Sequence, residues 1–213
     1  NATYFNGDWE SPFDKHKTEH RPFHLLSGGE ANVLMMEQTT TLNYFENGRV
    51  QAVEMGYEGG AYGMVVLLPK DEDGLPELEE KLAATVRACV AGFAPQEVRV
   101  LLPRFTLKSD LDLISPLEAL GMKRAFNPIQ ADFSGILGNP GDIWIDFVVQ
   151  KATIDVTEKG TIAAAATAVE ISQGMPMYDP DLLVFRADHP FVYLIRHRQS
   201  GAILFMGRVV DPS

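Results

Sequence analysis

Apolar residues along this chain recur mostly with a period of two or in short unbroken runs, the patterns that predict strands. Asn1–Phe5 already reads as the middle of a strand. Val50–Met55 is another, and Tyr62–Leu68, closed by Pro69, is apolar enough for a strand buried on both faces. Between Tyr44-Phe45 and Val50, the stretch Glu46-Asn47-Gly48-Arg49 predicts a hairpin, because Asn-Gly accepts positive φ at little cost. Val98–Phe105, a 13-residue run at Trp144–Val156, and then Leu182–Phe185, Phe191–Arg196 and Ala202–Val210 extend the series. Leu75–Ala91 changes period: Leu78, Leu82 and Val86 recur every four residues, acidic residues crowd the first turns, and Gly92 ends an amphipathic helix. A shorter helix is predicted over Leu111–Leu120, closed by Gly121. Asn127–Asp142 reads as loop, with one helical turn at Asp132-Phe133-Ser134. No repeat or low-complexity linker interrupts the chain, so the expectation is α+β, antiparallel or mixed sheets, and one continuous domain.

Composition narrows the function. The 213 residues carry 18 Lys+Arg against 29 Asp+Glu, a net charge of −11, which argues against nucleic acid and against acidic polysaccharides such as heparin. No run approaches the ~18 apolar residues of a membrane span. The single Cys89 excludes an internal disulfide and a cysteine-based zinc site. It fits a reducing compartment, but a chain with an ample core is secreted without disulfides too, so the compartment stays open, with an extracellular one slightly favoured. His16, His20 and His24 recur like ligands on a helix face, yet Pro22 interrupts that helix, so a solvated loop is expected instead of a metal site. No cofactor is implied. Met35-Met36 and Trp144 read as core, Asp188-His189-Pro190 as a turn docking the strand at Phe191, and Gly28-Gly29 and Gly59-Gly60 as too short for phosphate loops. A hydrolase would need a nucleophile elbow of the G-x-S-x-G type, which the chain lacks.

Thr157–Ser172, TEKGTIAAAATAVEIS, fits neither class cleanly. The alanines Ala163, Ala164, Ala165 and Ala166 favour helix, but their methyl groups bury little area with which to dock one. With period two, Thr161, Ala163, Ala165, Thr167, Val169 and Ile171 form one face, small or β-branched and uncharged. Thirteen residues at ~3.3 Å each reach roughly 43 Å, enough to cross a large sheet. Gly160 before the run supplies a hinge, and Gln173–Pro180 after it is turn-rich. The segment can lie outside as a loop or helix, or inside as a strand.

Four stretches together resemble the serpins, a family of serine protease inhibitors: Asn1-Ala2-Thr3-Tyr4-Phe5-Asn6-Gly7-Asp8-Trp9, Glu158-Lys159-Gly160-Thr161 followed by Ala163–Thr167, Phe185-Arg186-Ala187-Asp188-His189-Pro190-Phe191, and Leu204-Phe205-Met206-Gly207-Arg208-Val209. The resemblance runs over all 213 residues and is to the C-terminal part of a serpin. It implies the C-terminal part of a large mixed sheet A plus sheets B and C with few helices, and a partner in the missing N-terminal portion, whether on the same chain or a second one. It also implies a suicide inhibitor and no enzyme. A target serine protease would cut an exposed loop at Gly174–Met175, with Met177–Tyr178 as the alternative, and be trapped as an acyl complex while the loop inserts into the main sheet. Glu158, Gly160, Thr161, Ala163, Ala164, Ala165, Ala166 and Thr167 would form the hinge and inserting segment. Trp9 and Gln150 would stand where the sheet opens. Many relatives carry His at the position of Gln150, so the pH dependence of that contact is expected to be lost. A non-inhibitory serpin-like binding or storage protein is the alternative.

Overall fold

The computed structural model describes residues 1–161 and 182–213. In chain order the elements are β1 (Ala2–Tyr4), β2 (Gly7–Asp8), β3 (Glu19–His24), β4 (Glu30–Glu46), β5 (Val50–Gly56), β6 (Tyr62–Pro69), α1 (Leu75–Glu80), α2 (Leu82–Gly92), β7 (Ala94–Pro103), β8 (Phe105–Asp112), α3 (Ile114–Ala119), β9 (Val149–Val156), β10 (Gly160–Thr161), β11 (Leu183–Arg186), β12 (Phe191–His197) and β13 (Ile203–Val209). They group into two compact units, Asn1–Phe5 with Leu107–Ile154, and Asn6–Thr106 with Asp155–Ser213.

The second unit is built on an eight-stranded sheet in the order β11-β7-β4-β5-β6-β12-β13, with β3 paired to β4. The 17 residues of β4 are long enough to serve three partners in turn. Glu30–Met35 pair with β3, Met35–Tyr44 with β7, and Asn43–Glu46 with β5. Asn47 closes the β4–β5 hairpin, its Oδ1 accepting from the N–H groups of Arg49 (2.8 Å) and Val50 (3.0 Å). From Gly63 to Pro69 every residue of β6 is buried, as its unbroken apolar run requires. On one face of the sheet Val50, Ala52, Val65, Leu67, Val192 and Leu194 pack with Leu75 and Leu78 of α1 and Cys89 of α2.

The single helix expected over Leu75–Ala91 is two. Lys81 leaves helical geometry (φ −109°, ψ 13°) between α1 and α2, and its carbonyl restarts the ladder by accepting from Ala84 (3.0 Å) and Thr85 (2.9 Å). His20 and His24 stand on β3 and His16 in a one-turn 3-10 helix, Lys15–Lys17, not in a loop. The proline that forbids a helix there is tolerated because, among the described residues, β3 pairs on one side only.

In the first unit β1 runs parallel to β9, with Ala2 opposite Lys151, Thr3 opposite Ala152 and Tyr4 opposite Thr153. The long strand expected from Trp144 begins only at Val149. Upstream the backbone bonds to turns instead of a ladder, Ile145 N–H to the Ala125 carbonyl (2.9 Å) and the Leu113 N–H to Val148 (2.9 Å). Trp144 is 44% exposed and so is not core, whereas Met35 and Met36 are buried. At Asp132-Phe133-Ser134 the carboxylate captures both the N–H (3.1 Å) and the hydroxyl (2.6 Å) of Ser134, an Asx turn that opens the expected single turn, in which the Phe133 carbonyl accepts from Ile136 (2.8 Å) and Leu137 (3.2 Å).

A buried ion network crosses the sheet interior. Glu54 on β5, its side chain 1% exposed, accepts from Arg196 Nε on β12 (2.8 Å) and from Asn43 Nδ2 on β4 (2.9 Å). Arg198 Nε lies 3.5 Å from the same carboxylate and is itself buried without a hydrogen-bond partner among the described residues. Gly63 makes the room, since a Cβ there would stand 3.0 Å from Arg198 Nε and 3.1 Å from Glu54 Oε1. Removing the carboxylate takes away the ion partner of the largely buried Arg196, while Arg198 keeps Glu10 at 3.7 Å, so Glu54→Ala is expected to lose about 3–5 kcal/mol. Urea denaturation checks this, and a loss below about 1 kcal/mol would mean that water relaxes the network.

Candidate functional site

The turn Thr157-Glu158-Lys159-Gly160 closes on itself: Thr157 N–H donates to the Gly160 carbonyl (2.9 Å) and Gly160 N–H to the Thr157 carbonyl (3.2 Å). It is held from the other side by the chain that follows β2. Trp9 N–H donates to the Lys159 carbonyl (2.7 Å), Phe13 N–H to the Glu158 carbonyl (2.8 Å), and Trp9 Nε1 to the Thr157 carbonyl (2.9 Å). The Glu158 side chain is buried as well, accepting from Thr18 Oγ1 (2.9 Å) with Arg104 Nε 3.8 Å away.

After this turn, β10 enters between two strands. Gly160 pairs with Asp8 and Thr161 with Gly7, both antiparallel, while Thr161 also pairs antiparallel with Val156. Gly160, the expected hinge residue, is paired here, and a Cβ there would collide with the Gly7 carbonyl, so glycine is required by close approach of two backbones. Thr161 is fully buried, and its hydroxyl lies 2.7 Å from the Tyr57 hydroxyl. Tyr57 stacks on Trp9 with ring centroids 4.6 Å apart and planes 15° apart. Burial, with a smaller push from Tyr193, raises the Tyr57 phenol well above the usual tyrosine range, while its bond to Thr161 acts in the opposite sense. The phenol thus stays neutral and available as a hydrogen-bonding group.

Four of the singled-out residues, Trp9, Glu158, Gly160 and Thr161, come together here. Sequence reasoning missed Tyr57, Thr18 and Arg104. Tyr57 sits at the mouth of a Glu58-Gly59-Gly60 turn and 104 residues from Thr161, so no local pattern marks it.

Gln150 belongs to the first unit, on β9. Its Oε1 accepts from Asn1 Nδ2 (2.8 Å) and its Nε2 donates to Thr3 Oγ1 (2.9 Å). Both ends of the amide are spent on the segment carrying β1, which stitches the two parallel strands together. Ala163, Ala164, Ala165, Ala166, Thr167, Gly174, Met175, Met177 and Tyr178 lie outside the described residues.

Known proteins place this arrangement. The family model for serpins, serine protease inhibitors, matches residues 1–212. A serpin-like protein of Thermococcus kodakarensis is 41% identical over 213 residues, covering 100% of this chain and 49% of the relative. Human leukocyte elastase inhibitor is 40% identical over 223 residues (100% and 57%), and plasminogen activator inhibitor 1 of Neovison vison is 38% identical over 219 residues (100% and 53%). Among solved structures, a serpin of the insect Tenebrio molitor superposes with a TM-score of 0.85 at 34% identity, covering 100% of this chain and 55% of that one. The chain spans about half the length of the curated relatives it matches, 49–57%, and aligns to their C-terminal part. It belongs to the serpin family.

Proposed function

We propose that the protein carrying this chain is a serine protease inhibitor that acts as a suicide substrate. The serine hydroxyl of a target protease attacks the scissile carbonyl, the peptide C–N bond breaks, the proton passes to the departing amine, and an acyl ester remains. The freed N-terminal part of the loop then enters the main sheet before water reaches the ester. The proposed bond is Gly174–Met175, with Met177–Tyr178 as the alternative. Neither Gly174 nor Met177 offers a cation, so the target class is elastase- or subtilisin-like and not trypsin-like. A segment matching the N-terminal part of the relatives, on this chain or a second one, completes the fold.

The observation that carries this reading is the antiparallel seating of Gly160 and Thr161 between Gly7-Asp8 and Val156. In the proposed inserted state, continuing that register along β9 would set Ala163 opposite Ile154, Ala165 opposite Ala152 and Thr167 opposite Gln150. Extending it from Gly7 towards Asn1 sets Ala165 opposite Thr3. Since Thr3 and Ala152 already face each other across β1 and β9, an entering strand would require these two to part without sliding. Residues entering beside Thr161 must be small and uncharged, because an unpaired buried charge costs several kcal/mol and would let deacylation win.

Three outcomes are expected. Thr161→Arg in the full-length protein turns inhibitor into substrate, lowering the yield of SDS-stable protease complex at least about tenfold, the equivalent of ~1.4 kcal/mol in the competing step; an undiminished yield sinks the mechanism. Nicking the loop with a non-target protease raises the thermal midpoint sharply if the cut segment inserts; no rise supports a non-inhibitory binding or storage protein instead. Because Gln150 does not titrate, Gln150→His is expected to make the ratio of mutant to wild-type insertion rate change across about pH 6–7. A ratio that stays flat would show that position 150 does not gate the opening.

A further inference from the structure

A second group of titratable side chains sits where β11 turns into β12. His189 is 7% exposed and held between two oxygens. Its Nε2 is 2.8 Å from the Pro69 carbonyl oxygen at the end of β6, and its Nδ1 is 3.0 Å from Asp188 Oδ1. A carbonyl oxygen only accepts, so Nε2 must carry a proton; a carboxylate oxygen only accepts, so Nδ1 must carry one too. A neutral imidazole has a single N–H and would turn a lone pair towards one of these oxygens. The surroundings therefore fit the imidazolium, and a buried polar group left facing a like lone pair is costly.

His24 at the end of β3 joins the cluster. Its N–H donates to the Asp188 carbonyl (2.8 Å). Its ring Nδ1 lies 3.6 Å from Glu30 Oε1 on β4 and 3.7 Å from Glu72 Oε2 in the loop after β6. The charged groups that act on His189 are thus Asp188 from its own turn and Glu72 from the loop after β6, and the His24 ring of β3 shares Glu72 and lies beside Glu30 of β4. Two imidazoles stand among three carboxylates. Burial alone would lower the pKa of His189, but the Asp188 and Pro69 hydrogen bonds, and the negative charges of Asp188 and Glu72, outweigh it and leave the group above its ordinary value.

What this turn holds is short. β11 is four residues; among the described residues it ladders with β7, and Gln51 Nε2 of β5 donates to its Val184 carbonyl (3.3 Å). Beyond it one backbone bond, Ala187 N–H to the Leu101 carbonyl (2.9 Å), leads into the Asp188-His189 turn. We propose that the β11–β12 turn is a proton-dependent clamp: protonated His189 pins it to the end of β6, and loss of that proton as pH rises releases the turn and β11 with it. A group whose folded pKa lies above its unfolded one, about 6.5 for histidine, stabilises fully below the unfolded value and loses that contribution as pH rises through the folded value. The clamp acts on the strand after the bait segment and stands whether or not the inhibitor reading does.

The test uses full-length protein with 15N-labelled histidine, following the ring signals and the amide exchange of residues 183–187 from pH 6 to pH 9, with exchange corrected for its intrinsic pH dependence. Expected are imidazolium signals from both His189 nitrogens at pH 6, and at least an about tenfold fall in protection of β11 and Ala187 as the ring titrates, while β12 stays protected. His189→Gln should make that protection flat with pH, and the exposed His16→Gln should keep the wild-type profile. A neutral His189 ring at pH 6, or wild-type β11 protection unchanged while the ring titrates, overturns the clamp. Should His189→Gln not fold, the wild-type ring titration and exchange decide the matter alone. Neither result depends on protease trapping.

Discussion

Backbone pairing on both sides of Thr161, with Gly160 paired to Asp8, fixes the direction and register of β10. The pairing is possible because position 160 has no side chain, where the Gly7 carbonyl comes too near for a Cβ. It is held by the stack of Trp9 on Tyr57, with the Thr161 hydroxyl against the phenol. Trp9 also supplies two of the N–H groups that fix the preceding turn. One aromatic residue thus ties the turn, the strand ends and the buried hydroxyl together, so a change at any of these positions is felt at the others.

In the first unit the ladder between β1 and β9 is short. β1 offers three paired residues to β9, and Gln150 adds two side-chain hydrogen bonds, each worth roughly 1 kcal/mol net. In the proposed mechanism those contacts are exchanged for a new strand paired on both edges, with more backbone bonds gained than lost. On that proposal the driving force would lie in an unmade pairing, not in strained covalent geometry.

Much of the architecture was legible because it depends on local patterns. The unbroken apolar run of β6, the Asn47-Gly48 hairpin and the strands around Phe191 and Ile203 each carry their own signal. The misreadings share a cause, which is tertiary partners that no window contains. Trp144 has strand propensity but its neighbours' N–H groups are claimed by turns. Lys81 sits in a helix-favouring stretch, yet the helix breaks there, with Leu75 and Leu78 buried before the break while Leu82 and Val86 after it are only partly so. At the turn into β10, the sequence singles out Gly160 and Thr161 through the family pattern. Tyr57 and the Glu54 network were not, because their meaning lies in strands paired across long separations.

The connectivity of β4 bears on how the molecule reaches its native form. That strand must find β3 and β5 nearby in sequence, but also β7, while β6 waits for β12 from the far end of the chain. Loops of that length are entropically slow to close, and sheets dominated by distant pairings cross their folding barrier slowly. In such a topology the first compact arrangement to form need not be the deepest one, so kinetics rather than depth can decide which sheet the chain occupies. A protein that works by completing a ladder late would depend on that delay.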